Sequence, residues 1–96
     1  MRKIRGVFED HAVSAAIDNA AQKNPRVAEV FRGLGWGLAR EAEVAGYELP
    51  GHSPPQYLYK TSSPIVGDPV ITARYEYDDT DVTIKSVLIT IQGEDE

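Results

Sequence analysis

The stretch ITARYEYDDTDVTIKSVLITI, residues 71–91, constrains the fold more than any other part of the chain. Apolar and polar side chains alternate on both sides of the acidic run DDTD, which is the pattern of two β-strands joined by a tight turn. A hairpin about this turn pairs Tyr75 with Ile84 and Tyr77 with Val82. These aromatic and β-branched pairs predict a sheet face that packs on the core. Tyr75 and Ile84 should meet Phe31 and Leu34 between the sheet and the predicted helices.

The same register predicts a polar opposite face, with Glu76 across from Thr83 and Arg74 across from Lys85. Two like charges directly opposite each other destabilise a sheet unless a negative group lies between them. Glu76, a phosphate or a carboxylate from a partner are the candidates for that group. We therefore interpret this face as a docking surface for something acidic.

The polarity of the last strand changes after Lys85. In a regular strand Val87, Ile89 and Ile91 would take over the face of Lys85, while Leu88 would stay on the core face. Either a bulge near Lys85-Ser86 reverses the strand, or its second half is covered on both faces and requires an apolar cover such as a partner strand or helix.

The preceding sequence predicts four more elements, namely a strand over residues 2–8, helices over residues 11–23 and 25–45, and a strand over residues 57–61. The segment YELPGHSPPQ, residues 47–56, is interpreted as a loop in which Pro50-Gly51 forms a type II turn. Asp10 is the expected cap of the first helix, and Gly46 the expected stop of the second. The link Asn24-Pro25 is short enough for an antiparallel helical hairpin. Residues 1–96 are therefore expected to form one α+β domain with an N-terminal strand, this helical hairpin and a three-stranded antiparallel meander.

The segment GLGWGL places Gly33, Gly35 and Gly37 inside the second helix, where each costs about 1 kcal/mol relative to Ala. A glycine-rich phosphate loop requires a preceding strand and a helix that begins at the glycines, and neither is predicted. Close packing against the sheet, or a local break, explains the glycines better. Trp36 between them is expected to be an anchor, in the core or in a partner's groove.

The amino-acid composition excludes several classes of protein function. The chain has no cysteine, which excludes disulfides, thiolate catalysis and Cys-ligated zinc. The beginning MRKIRGVFED is charged where a signal peptide is apolar, and no apolar run approaches membrane-spanning length, so we expect a cytoplasmic protein without membrane contact. We also expect neither a cofactor nor a metal.

The charge is unevenly distributed along the chain. Residues 1–46 hold 7 Lys/Arg and 6 Asp/Glu, a balance of +1, whereas residues 47–96 hold 3 Lys/Arg and 9 Asp/Glu, a balance of −6. Nucleic-acid affinity comes largely from Lys and Arg that neutralise phosphates. The C-terminal half is therefore poorly equipped to bind nucleic acid.

The order of elements and several phrases resemble the RelE/ParE toxin superfamily of bacterial type II toxin–antitoxin modules. The resemblance runs from the N-terminal strand ending in Phe8, through the helical hairpin and the phrase YELPG before YLYKT, to the final hairpin ITARYEYDD–DVTIKSV. It implies a toxin, of the kind found in plasmid stabilisation, that a wrapping antitoxin neutralises. Such toxins either cleave mRNA on the ribosome or inhibit DNA gyrase by protein contact.

Compared residue by residue, the resemblance implies that Lys60 corresponds to a basic strand position of the family's ribonucleases. It places Arg74 on the same sheet. Tyr59 and His52 are the available proton shuttles, since the chain ends in TIQGEDE, which lacks the family's basic and aromatic residues. We therefore favour a toxin-like protein that acts by contact. A ribosome-dependent mRNA endoribonuclease and a non-toxic interaction domain that kept the fold are the alternatives.

The candidate residues fall into two groups. Lys60 and Arg74 are the candidate catalytic residues. The candidate binding residues are Lys85, Tyr59, Trp36, Val87 and Ile89. The expected partners are an antitoxin, gyrase or the ribosome, and a second copy of the chain.

Overall fold

A computed structural model describes residues 4–62 and 67–91. They form an α+β structure with two helices and a five-stranded sheet. The elements are β1 (Gly6–Glu9), α1 (His11–Lys23), α2 (Arg26–Ala45), β2 (Tyr47–Leu49), β3 (Gln56–Lys60), β4 (Pro69–Tyr77) and β5 (Asp81–Ile91). The first residues of the predicted N-terminal strand lie outside the described part of the chain.

The sheet is mixed, with strand order β1-β5-β4-β3-β2. Strands β2 to β5 pair antiparallel, and β1 pairs parallel with β5 at one edge. The prediction of a three-stranded antiparallel meander is therefore wrong in two respects. The helical hairpin carries the chain across the sheet and leaves β1 parallel to β5, and the segment YEL, read as a loop, forms the edge strand β2. The predicted Pro50-Gly51 turn follows β2, with Gly51 at φ +81° as a type II turn requires.

The two helices match their predicted bounds closely. Asp10 occupies the predicted cap position before α1 with an extended backbone, but its side chain makes no capping hydrogen bond and its carboxylate lies near the Lys85 ammonium instead. The Asn24 side-chain oxygen accepts a hydrogen bond of 3.1 Å from the Arg26 backbone N–H at the beginning of α2. Neither helix in the described residues is both long and apolar enough to cross a membrane.

The core lies between the two helices and one face of the sheet. The predicted meeting of Tyr75 and Ile84 with Leu34 and Phe31 is confirmed, since the first three are buried in one apolar cluster and Phe31 packs against it. The further buried apolar members of the cluster are Val13, Ile17, Val27, Leu38, Ala42, Ile71, Ala73 and Val82.

The hydroxyl of Tyr75 connects the central strand β4 to the end of α2. The helix is interrupted at Glu41, where φ is −138° and ψ is 38°. The Tyr75 hydroxyl donates a 2.7 Å hydrogen bond to the Ala42 carbonyl and accepts one of 3.1 Å from the Gly46 N–H. A Cβ at Gly46 would collide with the Leu58 carbonyl oxygen and would lie 2.9 Å from the Tyr75 hydroxyl. Close approach, rather than a left-handed conformation, therefore requires glycine at this helix end.

Leu34→Ala is expected to lower the free energy of unfolding by about 2–5 kcal/mol, because the buried side chain leaves a cavity. Leu88→Ala is the matched control and should change it by less than about 0.5 kcal/mol, since Leu88 is 64% exposed. Urea denaturation of both variants measures the difference. Equal losses would show that the core is assigned to the wrong sheet face.

The stability of the fold should fall in alkaline solution through Tyr75. Burial raises the pKa of its phenol from the ordinary 10.0 to about 12. Because the folded state favours the protonated form, this contribution is fully present below pH 10.0 and is lost as the pH rises through about 12. The free energy of unfolding should decline by up to about 1.4 kcal/mol per pH unit in this window.

Urea denaturation at several pH values measures this slope, and Tyr75→Phe should flatten it. A smaller slope should remain in the variant, because burial also raises the pKa of Tyr77. Identical slopes in the two proteins would remove Tyr75 as the cause.

Candidate functional site: the open face of the sheet

Side chains that alternate with the core residues form a sheet face that neither α1 nor α2 covers. We call this surface the open face. Large apolar side chains are exposed on it, with Phe8 at 57%, Tyr47 at 64% and Leu88 at 64%. Cross-strand pairing also places on it Leu58, Lys60, Thr72, Arg74, Glu76, Thr83 and Ser86.

A β-bulge at Lys85 determines which residues reach the open face. Tyr75 pairs with Ile84 as predicted, but Arg74 pairs with Ser86, so Lys85 is an extra residue in β5. The Lys85 ammonium lies 3.7 Å from the Asp10 carboxylate, at the end of β1. The predicted pair of Arg74 and Lys85 is therefore wrong, and Lys85 does not contribute to the open face.

The bulge also explains the change of polarity along β5. Beyond it, Val87 and Ile89 pair with Ala73 and Ile71 and pack against the core, whereas Leu88 is exposed on the open face. Of the two predicted alternatives the bulge is confirmed, and Leu88 does not take the core-face position that it would have in a regular strand. An apolar partner is not needed to cover Val87 and Ile89.

Arg74 is the cation at the centre of the open face. It is half-buried between its cross-strand neighbours Leu58 and Ser86, and its Nε is buried without a hydrogen-bond partner. Within residues 4–62 and 67–91, Arg74 forms no ion pair. The nearby candidate Glu76 accepts a 2.9 Å hydrogen bond from the Gln56 side chain instead.

The structure brings Lys60 and Arg74 onto the same face and separates them from Tyr59. Leu58 pairs with Arg74 and Lys60 with Thr72, so the two cations are diagonal neighbours on adjacent strands. Tyr59 points to the opposite, helix-covered face, where it lines a pocket beside the Arg26–Asp68 ion pair.

A different phenol, Tyr47, lies on the open face. It pairs with Leu58, which in turn pairs with Arg74, so Tyr47 and Arg74 flank the same leucine. The sequence reasoning missed Tyr47 because it read YELPG as a loop. The available signal was the alternation of YEL directly before a proline turn, which is typical of a short edge strand.

The two histidines lie away from these residues. His52 is in the exposed loop between β2 and β3, and His11 is the exposed first residue of α1. No group of three or more His, Asp or Glu side chains able to hold a metal ion occurs within the described ranges.

Trp36 lies on a separate surface between α2 and β1. It is 59% exposed, and the Arg40 guanidinium carbon lies 4.1 Å from its ring centroid. The side chain therefore lies outside the core and is available to a partner. We call the cavity beside it the Trp36 groove. Its volume is about 440 Å³, and its apolar lining includes Ile4, Val7, Phe31, Gly35, Trp36 and Ala39.

The glycines of α2 do not pack closely against the sheet. A Cβ built on Gly33, Gly35 or Gly37 would have no neighbour within 4 Å, and the helix is interrupted at Glu41 rather than at a glycine. Both structural explanations offered for the glycines are therefore wrong. Packing within the described chain does not require them.

Comparison with known proteins gives no match to a family model, to a curated protein or to a solved structure.

Gly33→Ala and Gly37→Ala should each raise the free energy of unfolding by about 0.5–1 kcal/mol, because Ala loses less backbone entropy in a helix and space is available. Urea denaturation measures the gain. Gly46→Ala provides the contrast, since its Cβ would collide with backbone, and should destabilise. Destabilisation by Gly33→Ala or Gly37→Ala would contradict this prediction, because it would mean that the added methyl group collides with a neighbour.

Proposed function

We propose that this chain is the toxin-like component of a bacterial type II toxin–antitoxin module, similar to the RelE/ParE superfamily, and that it acts in the cytoplasm by protein contact through the open face. The observation that supports the proposal is the environment of Arg74. The residue is half-buried beside Leu58 and Ser86, and its buried Nε has no hydrogen-bond partner among the described residues.

Such a cation favours a protein partner that supplies a carboxylate. Charge-assisted hydrogen bonds between Arg and carboxylate are stronger than neutral ones, and a partner would satisfy the Nε that the chain leaves unpaired. Exposed Tyr47 and Leu88 on the same face supply apolar contact area. Aromatic and Arg side chains are the types that dominate protein interfaces. An acidic segment of an antitoxin, or of a target such as gyrase, has the required chemistry.

Ribosome-dependent cleavage of mRNA is the second candidate, and one observation favours it. Lys60, Arg74 and Tyr47 surround Leu58 on one face, which groups two cations and a phenol. Phosphoryl transfer requires positive charge on the phosphate and a proton shuttle. However, the −6 balance of residues 47–96 opposes RNA binding, and Tyr59, the shuttle expected from sequence, faces away. We therefore rank contact with protein first.

Induced expression in a bacterial host should arrest growth, and Arg74→Ala should relieve the arrest. The reason is that removing the guanidinium removes the group that a carboxylate of the target would bind. In a cell-free translation reaction the purified protein should leave the message intact, as measured by primer extension. Growth without arrest would support a non-toxic interaction domain instead.

Lys85→Ala is the matched control for charge, because it removes one cation that lies off the open face and should preserve the arrest. Cuts at defined positions of the message that vanish in Lys60→Ala, Arg74→Ala and Tyr47→Phe, but persist in Lys85→Ala, would overturn protein contact and establish the ribonuclease.

A further inference from the structure

The Trp36 groove is a second surface, separate from the open face. One wall is the ridge of α2 that carries Arg32, Trp36 and Arg40 at successive turns, and the other is the edge strand β1. Since the open face is on the other side of the sheet, the groove is not used by the function proposed above.

Cations without carboxylate partners flank the groove. Arg32 and Arg40 both line it, one turn before and one turn after Trp36, and neither forms an ion pair within the described residues. Arg40 instead stacks on the Trp36 ring and donates a 3.4 Å hydrogen bond to the Trp36 carbonyl. In a chain with 15 acidic and 10 basic residues, two arginines that have no carboxylate partner in the described part of the chain and lie beside an apolar cavity favour an anionic occupant.

The other charged groups of the lining are already engaged. Arg5 donates to the Asp78 carbonyl at 2.6 Å and to the Glu43 carboxylate at 3.2 Å, and it lies 5.1 Å from the Tyr77 ring centroid. Glu9 accepts a 2.8 Å hydrogen bond from the Ser14 hydroxyl. Glu9 is the only acid of the lining and keeps its negative charge, but with Arg5 paired to Glu43 the charges of Arg32 and Arg40 still leave the lining with a positive balance.

Gly35 forms part of the groove wall and makes its space. A glycine inside a helix costs about 1 kcal/mol relative to Ala, and nothing lies within 4 Å of where its Cβ would be. A longer side chain at this position would project into the cavity. Glycine at position 35 therefore keeps the groove open, whereas packing within the described chain does not require a glycine there.

We propose that the Trp36 groove binds a small amphiphilic monocarboxylate, with its apolar body against Phe31, Gly35 and Trp36 and its carboxylate between Arg32 and Arg40. The volume of about 440 Å³ lies in the usual range for small-molecule sites, about 300–1,000 Å³. The wall formed by β1 is four residues long, or about 13 Å, which suits such a ligand better than a docked helix of several turns.

The chain carries its own probe for this proposal, because Trp36 is its single tryptophan and lines the groove. Titration of the purified full-length protein with decanoate, below the concentration at which decanoate forms micelles, should change the Trp36 fluorescence in a saturable way. Decanol and decyltrimethylammonium have the same chain and should bind at least tenfold more weakly. Isothermal titration calorimetry gives a second readout that does not depend on the fluorophore.

Two sets of variants locate the site. Arg32→Gln and Arg40→Gln should each weaken decanoate binding several-fold while leaving decanol binding unchanged. Gly35→Leu should abolish binding of both, whereas the matched control Gly37→Leu, in the same helix but outside the groove lining, should retain it. Circular dichroism establishes that both leucine variants are folded, and the smaller Gly35→Ala serves if Gly35→Leu is not.

Several results would overturn the proposal. They are the absence of saturable decanoate binding, equal binding of decanoate and decanol, and decanoate binding that survives in Gly35→Leu. Because none of these measurements involves growth arrest or translation, they decide the groove independently of the toxin-like function.

Discussion

The hydroxyl of Tyr75 is the interaction on which the arrangement of helices, sheet and edge strand depends. Tyr75 is fully buried on the central strand, and a buried hydroxyl requires hydrogen-bond partners. It finds them at the end of α2, where the interruption at Glu41 turns the Ala42 carbonyl and the Gly46 N–H towards it. The same contact begins β2 directly after Gly46, so the sheet gains its fifth strand.

The C-terminal part of α2 also contacts the chain at the other edge of the sheet. The Ala39 carbonyl accepts a 2.8 Å hydrogen bond from the Arg5 N–H, which attaches the chain entering β1 to the helix. The Arg5 side chain then reaches over the Tyr77 ring. The C-terminal part of α2 thus leads directly into edge strand β2 and is bonded to the chain that enters edge strand β1, and the Trp36 groove lies between this helix and β1.

The bulge at Lys85 divides the chemistry of the two sheet faces. It directs the Lys85 ammonium towards Asp10, so that Ser86 rather than Lys85 lies opposite Arg74 on the open face. The buried Nε of Arg74 has no hydrogen-bond partner among the described residues. The bulge also turns Leu88 outwards, which places apolar surface near Arg74. A partner that combines acidic and apolar groups matches this surface, and the −6 balance of residues 47–96 disfavours RNA there.

The sequence by itself determined the elements whose signals are local. Alternation and turn chemistry defined the hairpin pairs such as Tyr75 with Ile84, and Asp10 and Asn24-Pro25 placed the helix boundaries. Periodicity also predicted a β-bulge as one of two explanations for the change of polarity along the last strand.

Only the tertiary structure decided the rest, because it depends on contacts between residues far apart in the chain. Periodicity cannot choose between a bulge and a strand covered on both faces, and so it put Lys85 opposite Arg74. A three-residue strand such as β2 exists only because β3 offers an edge. The role of the glycines near Trp36 follows only from the space around them. A sequence shows that a side chain is missing, but it does not show the cavity that the missing side chain leaves.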